Sequence, residues 1–152
     1  MRKVSIEIAK AFINNKNKSI GNSRVCPVSD WVSNGEMGIY LHNNKIAWWE
    51  KNHPDFNLSN NIHLCFSMCG WDTPTTRERL NTLFYELFKS ETVYLKQSKG
   101  DQYLYINTTC IEIDPSKVGK PLRIMEIDPN KVYVLREIGD DLFLDEPVAL
   151  AI

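Results

Sequence analysis

The chain has 152 residues, of which 43% are hydrophobic and 24% are charged, as in an ordinary soluble globular protein. This length fits one domain and is sufficient to bury a core. The formal net charge of -1 excludes a whole-molecule field that would draw the protein onto nucleic acid. No segment approaches the roughly 20 apolar residues of a membrane-spanning helix.

Charged residues are unevenly distributed along the chain. Residues 1–24 contain six Lys or Arg and one Glu, whereas residues 101–152 contain ten Asp or Glu and five Lys or Arg. The basic start and the acidic end are expected to meet within one chain or between subunits of a homo-oligomer. The four cysteines follow no disulfide-framework spacing, and residues 1–15 lack the apolar core of a secretion signal. We therefore expect reduced thiols in a cytoplasm.

The first 69 residues predict a short helix followed by strands. Residues 4–15 place four apolar side chains on one helical stripe (Ile8, Ala9, Phe12 and Ile13). Residues 20–28 form an extended segment. Two apolar runs, 38–42 and 45–49, predict a hairpin with the two-residue turn Asn43-Asn44, because Asn tolerates positive φ. Residues 61–69 alternate apolar and other side chains, which predicts a half-buried strand.

The strongest amphipathic helix is predicted from Pro74 to Lys89. Thr73 is suited to cap it, and proline is favoured at the first helical position. The buried stripe consists of Leu80, Leu83, Phe84, Leu87 and Phe88. We expect this helix to cover a sheet and its start to point out of the core.

The remainder predicts strands. Residues 92–97 and 102–108 form a hairpin with Val93, Leu95, Leu104 and Ile106 on the core side and tyrosines outside. Further strands are predicted at 110–113, 122–127 and 132–137, and the apolar tail 148–152 is expected to dock on a sheet or a partner subunit. The fold class is α+β, a mostly antiparallel sheet covered by one main helix. Residues 1–114 are interpreted as its core, and residues 115–152 as an acidic β-rich extension packed on the same domain.

Three segments, in this order, resemble a family of small bacteriophage proteins. They are Gly-Asn-Ser-Arg-Val at 21–25, Ile-Tyr-Leu-His-Asn-Asn-Lys-Ile-Ala-Trp at 39–48, and Gly-Trp-Asp-Thr-Pro-Thr-Thr-Arg-Glu-Arg-Leu-Asn at 70–81. The resemblance covers roughly the first two thirds of the chain. It implies a phage origin and a location in the cytoplasm of an infected bacterium, and it implies no mechanism.

The turn and helix start at residues 70–81 form the first candidate site. A helix start offers unpaired N–H groups and a partial positive charge, so it can hold an anion such as phosphate. The candidate ligand-binding residues are Trp71, Thr73, Thr75, Thr76, Arg77, Arg79, Asn81 and Arg24. The alternative reading is structural: the threonines cap the helix, the arginines form ion pairs and Trp71 fills the core.

Other candidate sites are less specific. His63, Cys65 and Cys69 share one strand face, but their spacing is unlike that of zinc sites. His42 at the hairpin turn is a candidate general base with Asp72 or Glu50 as its partner, but a single histidine at an exposed turn is weak evidence. Aromatic residues (Trp31, Trp48, Trp49, Tyr40 and the outer tyrosines) suit single-stranded nucleic acid, which the near-zero net charge disfavours. We expect no catalytic residue, metal or cofactor.

These observations predict a phage accessory protein that acts by binding. The leading hypothesis is capture of a phosphorylated small molecule, such as a host signalling nucleotide, to counter host defence. The alternative is a protein–protein inhibitor of a host factor that uses its acidic C-terminal surface. A nucleic-acid binder or enzyme is the third reading.

Overall fold

The computed structural model describes residues 2–28, 37–49, 62–88, 92–107, 122–138, 141–144 and 148–149. These residues form two helices and eleven strands, which confirms the predicted α+β class. The helices are α1 (Lys3–Ile13) and α2 (Pro74–Leu87). The strands are β1 (Lys18–Ile20), β2 (Ser23–Pro27), β3 (Met37–Leu41), β4 (Asn44–Trp49), β5 (Ile62–Phe66), β6 (Thr92–Ser98), β7 (Asp101–Asn107), β8 (Leu122–Ile127), β9 (Lys131–Ile138), β10 (Asp141–Leu144) and β11 (Val148–Ala149).

Within the described ranges the strands form two antiparallel sheets. The larger has the order β1-β2-β3-β4-β5-β9-β10, with β11 paired to the first residues of β9, and the smaller has the order β6-β7-β8. The strands predicted on either side of residues 128–131 do not pair with each other. Strand β8 joins β7, whereas β9 lies between β5 and β10. Strands from the last third of the chain therefore complete both sheets.

The β3–β4 hairpin differs from its prediction by one residue. Its turn is His42-Asn43, with φ of 49° and 66°, and Leu41 faces Asn44. Asparagine and histidine are enriched at positive φ among the non-glycine residues, so this pair can form the turn. A bulge adds one residue to β4 opposite Ile39 and Tyr40, which allows the successive residues Ile46 and Ala47 both to be buried.

Strand β5 is buried on both faces, so its prediction as a half-buried strand was wrong. Leu64 and Phe66 are 0% exposed on one face, and His63 and Cys65 are only 2% and 6% exposed on the other. Strand β5 lies in the interior of the larger sheet, between β4 and β9. Because both of its faces are buried, it lacks the contrast in exposure that alternation implies.

Helix α2 packs its predicted stripe against the larger sheet. Leu80, Leu83 and Phe84 are fully buried, and the Phe84 ring meets the edge of Phe66 at 5.1 Å between centroids. Helix α1 lies beside α2 at the β1–β3 end of the sheet. The hairpin β6–β7 has the predicted register, with Gln97 opposite Gln102. The start of α2 is consequently fixed between the two sheets.

Several predictions lie outside the described residues. They are most of a loop predicted at 30–38, a loop predicted at 50–60, the strand at 110–113 and the last three residues of the tail. Helix α2 ends at Leu87, two residues before the predicted Lys89. The division of the chain at residue 115 stays a prediction.

Candidate ligand-binding site

The first turn of α2 forms one wall of the site. Thr73 caps the helix as predicted, since its Oγ1 accepts a hydrogen bond from the Thr76 N–H at 3.2 Å. The Arg77 N–H donates to the Thr73 carbonyl, and Pro74 has no N–H to donate. Within this turn Thr75 carries the one backbone N–H that has no hydrogen-bond partner among the described residues. This N–H and the helix dipole favour an anionic or polar acceptor.

The loop before α2 holds Trp71 in a fixed, exposed position. The backbone N–H of Trp71 donates to the Met68 carbonyl, and the backbone N–H of Gly70 donates to the Pro129 carbonyl, each at 2.8 Å. Gly70 has φ of 76°, and a Cβ there would lie 2.8 Å from Asn130 Oδ1, so only glycine fits without a shift. The indole is 55% exposed, which contradicts the alternative in which Trp71 fills the core.

The β3–β4 turn forms the opposite wall. The His42 N–H donates to the Asn22 carbonyl at 3.0 Å, which ties this turn to the β1–β2 turn. The imidazole faces the Trp71 indole, with ring centroids 6.2 Å apart and planes inclined by 23°. Two unrelated turns thus bring two aromatic rings into a nearly parallel arrangement.

A pocket of about 160 Å³ lies between these walls. Its apolar side is formed by Leu41, Ile46 and Met68, all of them buried. Its polar side carries hydroxyl and amide groups, and the aromatic rings border it (the remaining lining residues are His42, Asn44, Trp71, Thr73, Thr75 and Thr76). The pocket therefore offers apolar surface, hydrogen-bonding groups and a stacking surface to a small ligand.

The described lining residues include no Lys, Arg, Asp or Glu. The nearest arginine of the predicted site, Arg77, donates to the Asp72 carbonyl at 2.8 Å and to Gln102 Oε1 at 3.1 Å. It borders a neighbouring open groove that also contains Lys96 and Glu78. The favourable charge for an anion in the pocket would therefore come from the start of α2, since Arg77 is not among the lining residues.

The structure brings four of the eight predicted ligand-binding residues together in the pocket: Trp71, Thr73, Thr75 and Thr76. Arg79 lies elsewhere, 9% exposed, donating to Ser5 Oγ at 2.6 Å and Ser23 Oγ at 2.9 Å. It also contacts the Glu78 carboxylate at 3.4 Å. Burial lowers the pKa of the Arg79 guanidinium, and the Glu78 carboxylate opposes that shift. Arg79 thus links α2 to α1 and β2 and is not available to a ligand in the pocket.

Asn81 and Arg24 also lie away from the pocket. The Asn81 amide forms two hydrogen bonds with Leu95, donating to its carbonyl at 2.9 Å and accepting from its N–H at 2.6 Å. Arg24 lies 5.1 Å above the Tyr40 ring. Its neighbour Ser23 faces Arg79, and successive strand residues point to opposite faces, so Arg24 is on the far face of the larger sheet.

The proximity of His42 to Trp71 was not predicted from the sequence. The two residues are far apart along the chain, and only the packing of the β3–β4 hairpin against the start of α2 brings them together. The two segments did stand out in the sequence as Leu-His-Asn-Asn and Gly-Trp-Asp-Thr. The structure shows that both segments line the same pocket.

The other sequence candidates have structural partners. Arg136 donates to His63 Nδ1 at 3.0 Å, because a guanidinium can only donate, and Cys69 donates to the Lys45 carbonyl. Burial raises the pKa of the Cys69 thiol. No three His, Cys, Asp or Glu side chains in the described ranges are grouped so as to hold a metal ion. Of the aromatic candidates, Trp49 stacks on Phe12.

Comparison with protein families identifies the origin of the chain. The family model described as Kyanoviridae Gp96 protein, from a family of phage proteins, matches residues 1–118. The chain belongs to this family. Comparison with curated proteins and with solved structures gives no match. The resemblance to small phage proteins is thereby confirmed, while its individual motifs stay a prediction. The part of the chain that the structure describes contains no helix long and apolar enough to cross a membrane.

Proposed function

We propose that this phage protein acts by binding, and that it captures a small phosphorylated molecule, such as a signalling nucleotide of the infected host. The observation that carries the proposal is the pocket between the start of α2 and the exposed, backbone-fixed Trp71. Capture would lower the free concentration of a signal in the host cytoplasm and so counter a host defence. The phage family membership supports an intracellular role during infection.

The chemistry of the pocket supports a phosphorylated ligand in one respect. The N–H of Thr75 and the Thr75 hydroxyl lie at the positive end of α2, where a phosphate is favoured. Trp71 supplies a surface on which the remainder of the ligand can stack. Arg79 takes no part in this proposal, because its guanidinium is buried and bonded to Ser5 and Ser23 away from the pocket.

A charge reversal at the helix start tests the proposal. Thr75→Glu places a carboxylate where the phosphate would sit, while the same charge is favourable to the helix N-terminus. Thr75→Gln is the matched control with a similar side chain and no charge. In isothermal calorimetry with nucleoside monophosphates and cyclic nucleotides, Thr75→Glu should bind about tenfold or more weakly than Thr75→Gln, because the two variants differ only in the charge. Equal affinity of the two variants would contradict a phosphate at this position.

A second candidate, a protein–protein inhibitor of a host factor, is favoured by a separate observation. An open groove of about 440 Å³ at the β6–β7 and β8–β9 turns carries Asp101, Glu126 and Asp128 together with Lys131. Deleting the C-terminal third is not a usable test, because β8 and β9 belong to the two sheets. The variant Asp101→Lys with Glu126→Lys keeps the sheets. It should abolish pull-down of the host protein and leave nucleotide binding unchanged.

A further inference from the structure

We infer that the ligand of the pocket contains a planar heteroaromatic ring, and that this ring inserts into the pocket and stacks against Trp71 and His42. The inference rests on the proposed function and specifies its ligand as a nucleobase compound. It assigns His42 as a binding residue, which the sequence did not.

The position of the two rings is the first argument. The Trp71 indole is 55% exposed, and the His42 imidazole lies 6.2 Å from it between centroids, with the ring planes inclined by 23°. Both residues line the pocket, so a planar ring that enters the pocket can stack on their faces.

The rigidity of both walls is the second argument. Trp71 is held by the backbone hydrogen bonds of the loop at Met68 and Pro129, and His42 is held by the Asn22 carbonyl. Because both walls are already ordered in the free protein, binding loses little conformational entropy there, which favours affinity. An exposed tryptophan that served no ligand would gain little from this support.

The edge of the ring would meet hydrogen-bonding groups. Asn44 and the hydroxyls of Thr73 and Thr76 line the same pocket, with the apolar side chain of Met68 opposite. Amide and hydroxyl groups can pair with the ring nitrogens and exocyclic groups of a base, and a plain hydrocarbon ring offers no such groups. The pocket therefore fits a nucleobase better than a hydrocarbon ring.

The test uses probes that separate the ring from the phosphate. They are adenosine, guanosine and uridine, their 5′-monophosphates, and ribose 5-phosphate. His42→Asn removes one wall, and Asn tolerates the φ of 49° at this position. Asn43→Gly, in the same turn but not in the pocket lining, is the matched control. Dissociation constants from calorimetry and melting temperatures are measured for each variant.

At least one nucleoside should bind to the wild type and to Asn43→Gly, and His42→Asn should weaken it about tenfold or more without lowering the melting temperature. Binding of ribose 5-phosphate as tight as that of the monophosphates, unaffected by His42→Asn, would overturn the ring insertion and leave the proposed phosphate capture intact. Nucleosides that bind as tightly as their monophosphates, with loss in His42→Asn, would support the ring and contradict the phosphate. If none of the probes binds, both are overturned.

Discussion

The two sides of the first turns of α2 carry similar polar residues and use them differently. On one side, Arg79 is buried, and it donates to Ser5 and Ser23. On the other side, Thr75 and Trp71 line a pocket that is open to solvent, and the Thr75 N–H has no partner among the described residues. We call the first the closed side and the second the open side. The closed side holds the fold together, whereas the open side keeps hydrogen-bonding capacity available to a ligand.

The difference shows why a cluster of polar residues at a helix start is not by itself a site. Side chains two positions apart on a helix differ in direction by about 200°. Arg77 and Arg79 therefore have different surroundings, although they are close together in the sequence. Whether each arginine is structural or available to a ligand then depends on whether its hydrogen-bond partners are buried. A donor that is already bonded inside the protein has no capacity left for a ligand.

The largest expected effect is on the closed side. Arg79→Ala removes a buried charged donor and leaves the hydroxyls of Ser5 and Ser23 and the Glu78 carboxylate with fewer partners. We expect a loss of about 3 kcal/mol in the free energy of unfolding. The melting temperature of a domain of this size should then fall by about 9 °C.

Arg77→Ala is the control for this prediction, because Arg77 makes its two hydrogen bonds near the surface. It should cost less than about 1 kcal/mol. A drop of equal size in both variants, measured by urea denaturation, would remove the distinction between the two sides.

The next effect concerns Asn81, which supplies both hydrogen bonds at Leu95 on the outer edge of β6. Leu95 is 3% exposed, so Asn81→Ala leaves its N–H and carbonyl buried without these partners, at a cost of about 2 kcal/mol. Hydrogen exchange should speed up at the Leu95 amide, and affinity for a pocket ligand should stay unchanged. The control is Glu86→Ala on the same helix, since Glu86 makes no hydrogen bond or ion pair among the described residues. Weaker ligand binding in Asn81→Ala would place Asn81 back in the site.

The sequence predicted what depends on local pattern. Hydrophobic spacing located both helices, Thr73-Pro74 predicted the start of α2, and alternation placed Val93, Leu95, Leu104 and Ile106 on the core side of the β6–β7 hairpin. These features depend on residues a few positions apart.

What could not be predicted depends on long-range packing. The opposition of His42 and Trp71, the burial of both faces of β5 and the separation of β8 from β9 each follow from contacts between distant segments. The same holds for the candidate site. The segment was located, but whether Thr75 or Arg79 faced the opening depended on α1 and β2, which the local pattern does not place.

The smallest effect tests how the open side is supported from the C-terminal third. The Gly70 N–H donates to the carbonyl of Pro129, and the turn that contains Pro129 is fastened by the Asp128 N–H, which donates to the Tyr133 hydroxyl at 2.8 Å. Tyr133→Phe removes that acceptor and should cost about 1 kcal/mol. Tyr85→Phe, on an exposed ring, is the control for removing a phenol hydroxyl.

The pH dependence of this effect has a definite sign. Burial raises the pKa of Tyr133, and the hydrogen bond from Asp128 only partly opposes it. The folded state therefore binds the phenol proton more tightly than the unfolded state does. The stability that results is complete below the usual tyrosine pKa of about 10 and is lost as the pH rises through the higher folded value.

In denaturation series from pH 8 to pH 11, the advantage of the wild type over Tyr133→Phe should shrink above pH 10. A constant or growing advantage would mean that Tyr133 does not hold this turn as a buried neutral phenol.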